Sequence, residues 1–251
     1  MSKHEKFILT SISSIPQETL ISCTPLHNGI NSYPLCEYIM QTTFLKMTGA
    51  SEQKIKCILW ELATDNYDFR YEYLKDNYGE CSNYESKEKA FQNLLKCISK
   101  NNSLFEISES EKQILLDKSI SSCNSLFDNS IFSSWLPKEN LEYKQIIKRI
   151  TTKQFYQKLG KTIMLFSKKD NLSEPEKENN LRDMFDSTYE HRNRCAHNLL
   201  SYQDNLPSLD KLKKENYKYD NWFLRFFILI LLDNIFIYLF KTCYKKSTDY
   251  F

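Results

Sequence analysis

Residues 222–240 read Trp-Phe-Leu-Arg-Phe-Phe-Ile-Leu-Ile-Leu-Leu-Asp-Asn-Ile-Phe-Ile-Tyr-Leu-Phe, and 16 of the 19 are apolar. The exceptions are Arg225, Asp233 and Asn234. A bilayer span needs about 20 apolar residues, so length nearly permits one. Asp233, however, lies well inside the run, and a charge near the centre of a span costs roughly 2.5–3.5 kcal/mol on insertion scales. No second span exists in the sequence. The stretch therefore predicts a buried helix over about 220–244, at the heart of a bundle or at a dimer interface, and not a membrane anchor.

The rest of the chain agrees with a helical reading. Only four of 251 residues are glycine, at 29, 49, 79 and 160, where about 7% is usual. Phosphate-cradling loops need two or three glycines within about eight residues, so P-loop and dinucleotide-binding readings drop out. Primed hairpin turns also draw on glycine, which disfavours an all-β fold. Helices are expected at 36–47 and 52–65, separated by a stop at Gly49–Ser51 with Ser51 as N-cap. In the second of these, Ile55, Ile58, Leu59 and Leu62 form a core stripe. Further helices are expected at 67–77, 86–99, 109–119, 138–150 and 152–166. Ser108 with Glu111 and Ser173 with Glu176 fit capping boxes. The helix opened by Ser173 carries Leu181, Phe185, Tyr189, Arg192 and Ala196 on one face, and a polar linker follows over roughly 201–219. Residues 1–35 hold three of the six prolines. They read as an irregular N-terminal arm with a short strand near Phe7–Ile12, preceding an all-helical domain over 36–251.

Charge and cysteine usage narrow the function classes. The formal net charge of +2 makes no global case for nucleic acid or membrane. Locally, residues 136–170 carry nine Lys or Arg against three acids, a surface suited to phosphates as well as to water. The eight cysteines are irregularly spaced without a Cys-x-x-Cys pair. The N-terminus is too polar for a signal peptide. These features read as reduced, mostly buried cysteines of a cytoplasmic protein.

Chemistry concentrates in residues 189–198, Tyr-Glu-His-Arg-Asn-Arg-Cys-Ala-His-Asn, which contain two of the four histidines. Arg192-Asn193-x-x-x-His197 joins a fixed cation, an amide and a titratable imidazole. On a helix Asn193 and His197 share a face at i,i+4, with Glu190 on the same side. Arg192 lies about 140° away from His197 by helical geometry. One helix cannot aim both side chains at one atom, so either the helix breaks or a second copy completes the site. The set suits RNA cleavage without a metal. A base removes the 2′-hydroxyl proton, and a cation stabilises the phosphorane as the oxygen attacks the neighbouring phosphate. His197 titrates in the right range for proton transfer. Arg192 or Arg194 can hold two phosphate oxygens, and Asn193 can hold the imidazole or the RNA. Alternatives are weaker. Cys195 and His197 point apart as i,i+2 on a helix. The pairs His191/Cys195 and Cys23/His27 have i,i+4 spacing but lack the spacing of a zinc finger.

Arg192-Asn193-Arg194-Cys195-Ala196-His197 resembles the Arg-x(4–6)-His motif of HEPN domains, with Asn in the favoured place after Arg. The resemblance implies an all-α bundle of four or five helices, here with extra helices. It implies a homodimer whose two motifs face each other across the interface, and a metal-independent endoribonuclease acting as a toxin or effector in antiviral defence. Arg192 and His197 would be the catalytic pair and Asn193 the supporting polar residue, with no metal or other cofactor. Arg194, Glu190, Lys148 and Arg149 are further candidates for contact with an RNA substrate. Without the resemblance, Arg192 and His197 read as an ordinary helix face with an ion pair to Glu190 or Asp186, and His191 reads as a surface residue or an RNA contact. An antitoxin or sensor protein is a possible partner. A non-catalytic module that binds RNA or a protein is the alternative. A subgroup with His-x-Tyr after the motif is paired with nucleotidyltransferase antitoxins; position 199 here is Leu, and the nearest downstream tyrosine is Tyr202.

Overall fold

The computed structural model describes residues 2–26, 33–75, 81–151, 181–197 and 221–244. Among them are ten helices and no strand. These are α1 (Lys3–Leu9), α2 (Ser14–Cys23), α3 (Tyr33–Asp65), α4 (Tyr67–Lys75), α5 (Tyr84–Asn101), α6 (Glu109–Phe127), α7 (Ile131–Trp135), α8 (Pro137–Thr151), α9 (Leu181–His197) and α10 (Trp222–Tyr244). The fold is all-α. The expected helix at 152–166, the Ser173–Glu176 box, the 201–219 linker and Tyr202 lie outside the described residues.

The apolar run is the axis of the bundle. Helix α10 is long and apolar enough to cross a bilayer, yet nearly all of its apolar run is buried inside the protein. Helices α3, α5, α6, α8 and α9 all pack against it. The three polar residues of its apolar run 222–240 explain how such a helix accepts charge. Arg225 lies over the Trp222 ring at 4.8 Å, in the field of the Glu139 carboxylate from α8. Asp233 accepts from Lys54 Nζ of α3 at 2.5 Å and from the Ile12 backbone N–H at 2.9 Å. Asn234 donates to the Ser119 hydroxyl of α6 at 2.9 Å. At about 100° per residue, Arg225 and Asn234 lie on opposite sides of the helix. Each polar group thus meets a different neighbour, as burial on all sides requires. The start of α10 is equally well tied. The Asn221 side chain accepts from the Leu224 N–H at 3.1 Å, and the Glu139 carboxylate accepts from the Trp222 N–H at 2.9 Å.

Three expectations need correction. The first concerns the N-terminal arm, whose described residues are mostly helical, in α1 and α2. Ser2 caps α1 with a reciprocal Ser2–Glu5 box, so residues 3–9 wind as a helix and the strand near Phe7–Ile12 does not form. Ile8 and Ile12 are buried in the same core as α10. Pro16 sits in the first turn of α2, where its missing N–H costs nothing.

The second correction concerns Gly49–Ser51, where the chain does not stop. Helix α3 runs unbroken for 33 residues through it. Met47, Ser51, Lys54, Ile55 and Ile58 are buried along its length, and tertiary packing of that order outweighs the roughly 1 kcal/mol propensity cost of one glycine.

The third concerns the cysteines. Cys97 of α5 and Cys243 of α10 are joined in a disulfide, while Cys23, Cys36, Cys57, Cys81, Cys123 and Cys195 are free and buried. The helix expected at 109–119 runs on to Phe127 as α6, and α7 lies where none was expected. The Ser108–Glu111 capping box is present, opening α6, and α4, α5 and α8 fall on the expected helices.

Candidate functional site

Helix α9 continues without interruption through the motif to His197. Its apolar side holds it against the bundle. Phe185 stacks with Tyr189, ring centroids 6.5 Å apart, and Met184 and Phe185 are buried. Thr188 satisfies its buried hydroxyl on the Met184 carbonyl at 2.8 Å. Arg192 is one turn further along this face and reaches toward α3.

There it meets a partner 140 residues away in sequence. Arg192 Nη2 lies 3.2 Å from one Glu52 oxygen and donates to the other at 3.3 Å. The side chains are 24% and 15% exposed, so the pair is half-buried and still open to solvent. Arg192 Nη1 also donates to Asn193 Oδ1 at 3.1 Å. Guanidinium, amide and carboxylate therefore form one chain of hydrogen bonds. The sequence pointed to Glu190 or Asp186 as ion-pair partners of Arg192. The acid that binds it is Glu52, which carries no local signal. Glu190 is exposed on α9, and Lys148 is exposed on α8. The side chains of His197 and Arg149 are not among those described.

A second buried cation lies beside this chain. Lys87 of α5 is 2% exposed. Its ammonium donates to the Cys81 and Ser82 carbonyls at 2.8 and 3.1 Å and sits 4.9 Å from the centre of the Phe185 ring. Burial lowers its pKa to about 8; Glu52 opposes that fall and Arg192 adds to it. Ser82 in turn bonds the Tyr189 hydroxyl at 3.2 Å. Glu52, Ser82, Lys87, Tyr189 and Arg192 line a crevice of about 10 Å³, room for a single water molecule.

His191 has a different role from the surface position expected of it. Its ring packs on Trp222 at 4.9 Å and Phe44 at 5.6 Å. Arg194 Nη2 approaches His191 Nδ1 at 3.1 Å, and Cys195 Sγ lies 3.3 Å from Nε2. A guanidinium can only donate, so Nδ1 accepts and the proton sits on Nε2, directed at the sulfur. Burial, with Arg225 and Arg194 nearby, pushes the imidazole pKa down to about 2. His191 is therefore a neutral packing residue and no general acid or base near neutral pH. Arg194 is committed to this cluster through Nη2, and its buried Nε has no hydrogen-bond partner among the described residues. His191 and Cys195 do meet, but no group of three or more potential ligands that could hold a metal exists among the described residues.

Of the predicted residues, then, Arg192 and Asn193 are brought together, Arg194 is turned into the His191 cluster, and Glu52 and Lys87 join without having been foreseen. The chain matches no protein-family model, no curated protein and no solved structure.

Proposed function

We propose that the chain is a metal-independent endoribonuclease of HEPN type, a cytoplasmic homodimer acting as a toxin or effector in prokaryotic antiviral defence. The observation that carries this reading is Arg192-Asn193-x-x-x-His197 on one unbroken helix, with the Arg192 and Asn193 side chains joined. Because α9 does not break, Arg192 and His197 stay about 140° apart, and the pairing of two copies becomes the way to face them. The crevice beside Arg192 is too small for a nucleotide, which also favours a substrate lying between copies. In the reaction, His197 removes the 2′-hydroxyl proton and Arg192 stabilises the charge that builds on phosphate. Asn193 orients the guanidinium. The P–O5′ bond breaks, the departing 5′ oxygen takes a proton from solvent, and the products are a 2′,3′-cyclic phosphate and a 5′-hydroxyl.

The test is incubation of RNA with the purified chain in EDTA, with analysis of product ends. Cleavage to cyclic phosphate should fall by about a hundredfold or more in His197→Ala and in Arg192→Ala. Cleavage unaffected by both substitutions overturns the assignment. Mixed dimers of the two inactive variants should regain activity, since one of their two composite sites is intact.

The second reading, a non-catalytic HEPN module that binds RNA or a protein partner, is favoured by one observation: the Arg192 guanidinium already has a carboxylate partner in Glu52. Intact RNA under all conditions, with salt-sensitive binding that survives His197→Ala, selects it.

A further inference from the structure

At the opposite end of α10 from Trp222, helices α3, α4, α5 and α10 enclose a pocket of about 480 Å³. That lies within the usual range for small-molecule sites, roughly 300–1,000 Å³. Three features of its lining belong together. The first is the Cys97–Cys243 disulfide, both of whose residues border the cavity. Cys243 is 6% exposed, while Cys97 is more accessible. The second is charge of both signs, separated by element. Lys96 and Lys100 stand one turn apart on α5, and Asp65, Asp68 and Glu72 come from the end of α3 and from α4. A loose contact, Lys100 to Asp68 at 3.8 Å between exposed side chains, bridges the two sides. A ligand can displace such a pair at little cost. The third is an apolar component, with Leu62, Phe69 and Tyr244 in the wall.

We propose that this pocket is a thiol–disulfide exchange site for a small zwitterionic thiol of the glutathione class. The lysines take the ligand carboxylates, the acids take its ammonium, and its sulfur reaches the bridge. The ligand thiolate attacks Cys97 Sγ, the more accessible sulfur. The sulfur–sulfur bond breaks, its electron pair leaves on Cys243 Sγ, and that thiolate takes a proton from solvent. A second ligand thiol resolves the mixed disulfide at Cys97. The protein is left with two thiols, and two small thiols are oxidised to one small disulfide. The reverse sequence closes the bridge. Because the bridge ties the last turn of α10 to α5, the thiol pool sets whether the core helix is clamped at that end. This site is separate from Arg192 and His197 and does not depend on RNA cleavage.

The experiment uses the full chain purified without reductant. Intact mass and alkylation count free thiols while the bridge is reduced by glutathione or by 2-mercaptoethanol, an uncharged thiol. Rates are compared per thiolate and normalised to each thiol's rate on a free small-molecule disulfide, which removes differences in both thiol acidity and intrinsic nucleophilicity. Glutathione should be faster by about five- to tenfold, and the advantage should vanish with Lys96→Gln/Lys100→Gln and in high salt. Cys243→Ser treated with oxidised glutathione should hold one adduct on Cys97. Equal rates for the two thiols overturn the proposal, because the bridge is then merely accessible. Alkylation of all eight cysteines before any thiol is added also overturns it. The lysine variants change only exposed side chains, so circular dichroism unchanged from the parent keeps that arm valid.

Discussion

Helix α3 carries two charges two residues apart, Glu52 and Lys54, and each pairs with a helix from the C-terminal part of the chain. Lys54 pairs with Asp233 of α10, with side chains 5% and 3% exposed. Glu52 pairs with Arg192 of α9, with side chains 15% and 24% exposed. The chemistry is similar and the surroundings are not. Around Lys54, further protein groups complete the coordination: the Thr10 carbonyl accepts from the ammonium, and the Ile12 N–H donates to Asp233. Burial raises the Asp233 pKa and lowers that of Lys54, and their mutual attraction opposes both shifts. That pair fastens the α1–α2 corner to the bundle axis. Around Arg192, solvent still reaches the pair, and the guanidinium shares its bonds with Asn193. A cation so placed keeps its charge available to a phosphate, whereas the Lys54 ammonium is fully spent inside the fold.

The largest effect expected from this contrast is on stability. Asp233→Asn leaves the Lys54 ammonium buried without its counter-charge and should cost about 3–5 kcal/mol in urea unfolding. The double variant Lys54→Met/Asp233→Leu removes both charges and should recover most of that loss. A cost under about 1 kcal/mol for Asp233→Asn would mean that the two pairs do not differ in the way described here.

The next effect is on pH dependence and belongs to the motif region. The unfolded His191 imidazole titrates near its ordinary 6.5, and the folded one at about 2. Between those values the unfolded chain binds a proton that the folded chain refuses. The stability associated with neutral His191 is therefore complete above pH 6.5 and is lost as pH falls below it. The slope from this one group reaches at most about 1.4 kcal/mol per pH unit. His191→Phe, compared with the parent by chemical unfolding at a series of pH values, should flatten that slope. An unchanged slope places the acid sensitivity in other groups.

A smaller effect separates the two pairs by function. Glu52→Gln should change stability by about 1 kcal/mol or less, because the pair is half-exposed. It frees a guanidinium beside Asn193. If Arg192 meets phosphate, RNA binding should tighten, and its salt dependence should steepen by up to about 0.7 in the log–log slope for single strands. Binding isotherms at several salt concentrations measure this. Identical slopes would remove Arg192 from the RNA contact.

What the sequence could show follows from the range of the forces involved. Helix α10 is legible because nearly every side chain of its run 222–240 avoids water; even the three polar residues of that run mark where partners have to be. The Ser108–Glu111 box was legible because it is local. The same signature opens the chain, Ser2 with Glu5, and read literally it predicts α1. It was outweighed by the prolines, taken as breakers. Pro16 instead occupies a helix's first turn, and Pro34 is the second residue of α3. The motif was legible as residue types and as a helix. Its electrostatics were not, because Glu52 and Lys87 lie about a hundred or more residues from Arg192, and no periodicity connects them. His191 was misplaced for a related reason, since Trp222 and Phe44, which bury it, come from two other helices.

The smallest effect concerns the residue at which α3 was expected to stop. Gly49 is exposed in mid-helix, three residues before Glu52 and five before Lys54. A Cβ built at this position meets nothing within 4 Å. Alanine there needs no rearrangement and removes the conformational freedom that glycine gives the unfolded chain. Gly49→Ala should therefore stabilise by about 0.5–1 kcal/mol, seen as a higher urea midpoint with an unchanged m-value. Both charged pairs hang from this helix, so a stiffer α3 carries them together. If stability rises and RNA cleavage per molecule stays constant, α3 is a rigid support for Glu52 and Lys54 alike. If cleavage falls while stability rises, bending at Gly49 contributes to the movement of Glu52 away from Arg192, and the half-exposed pair is separated from the buried one by motion as well as by solvent.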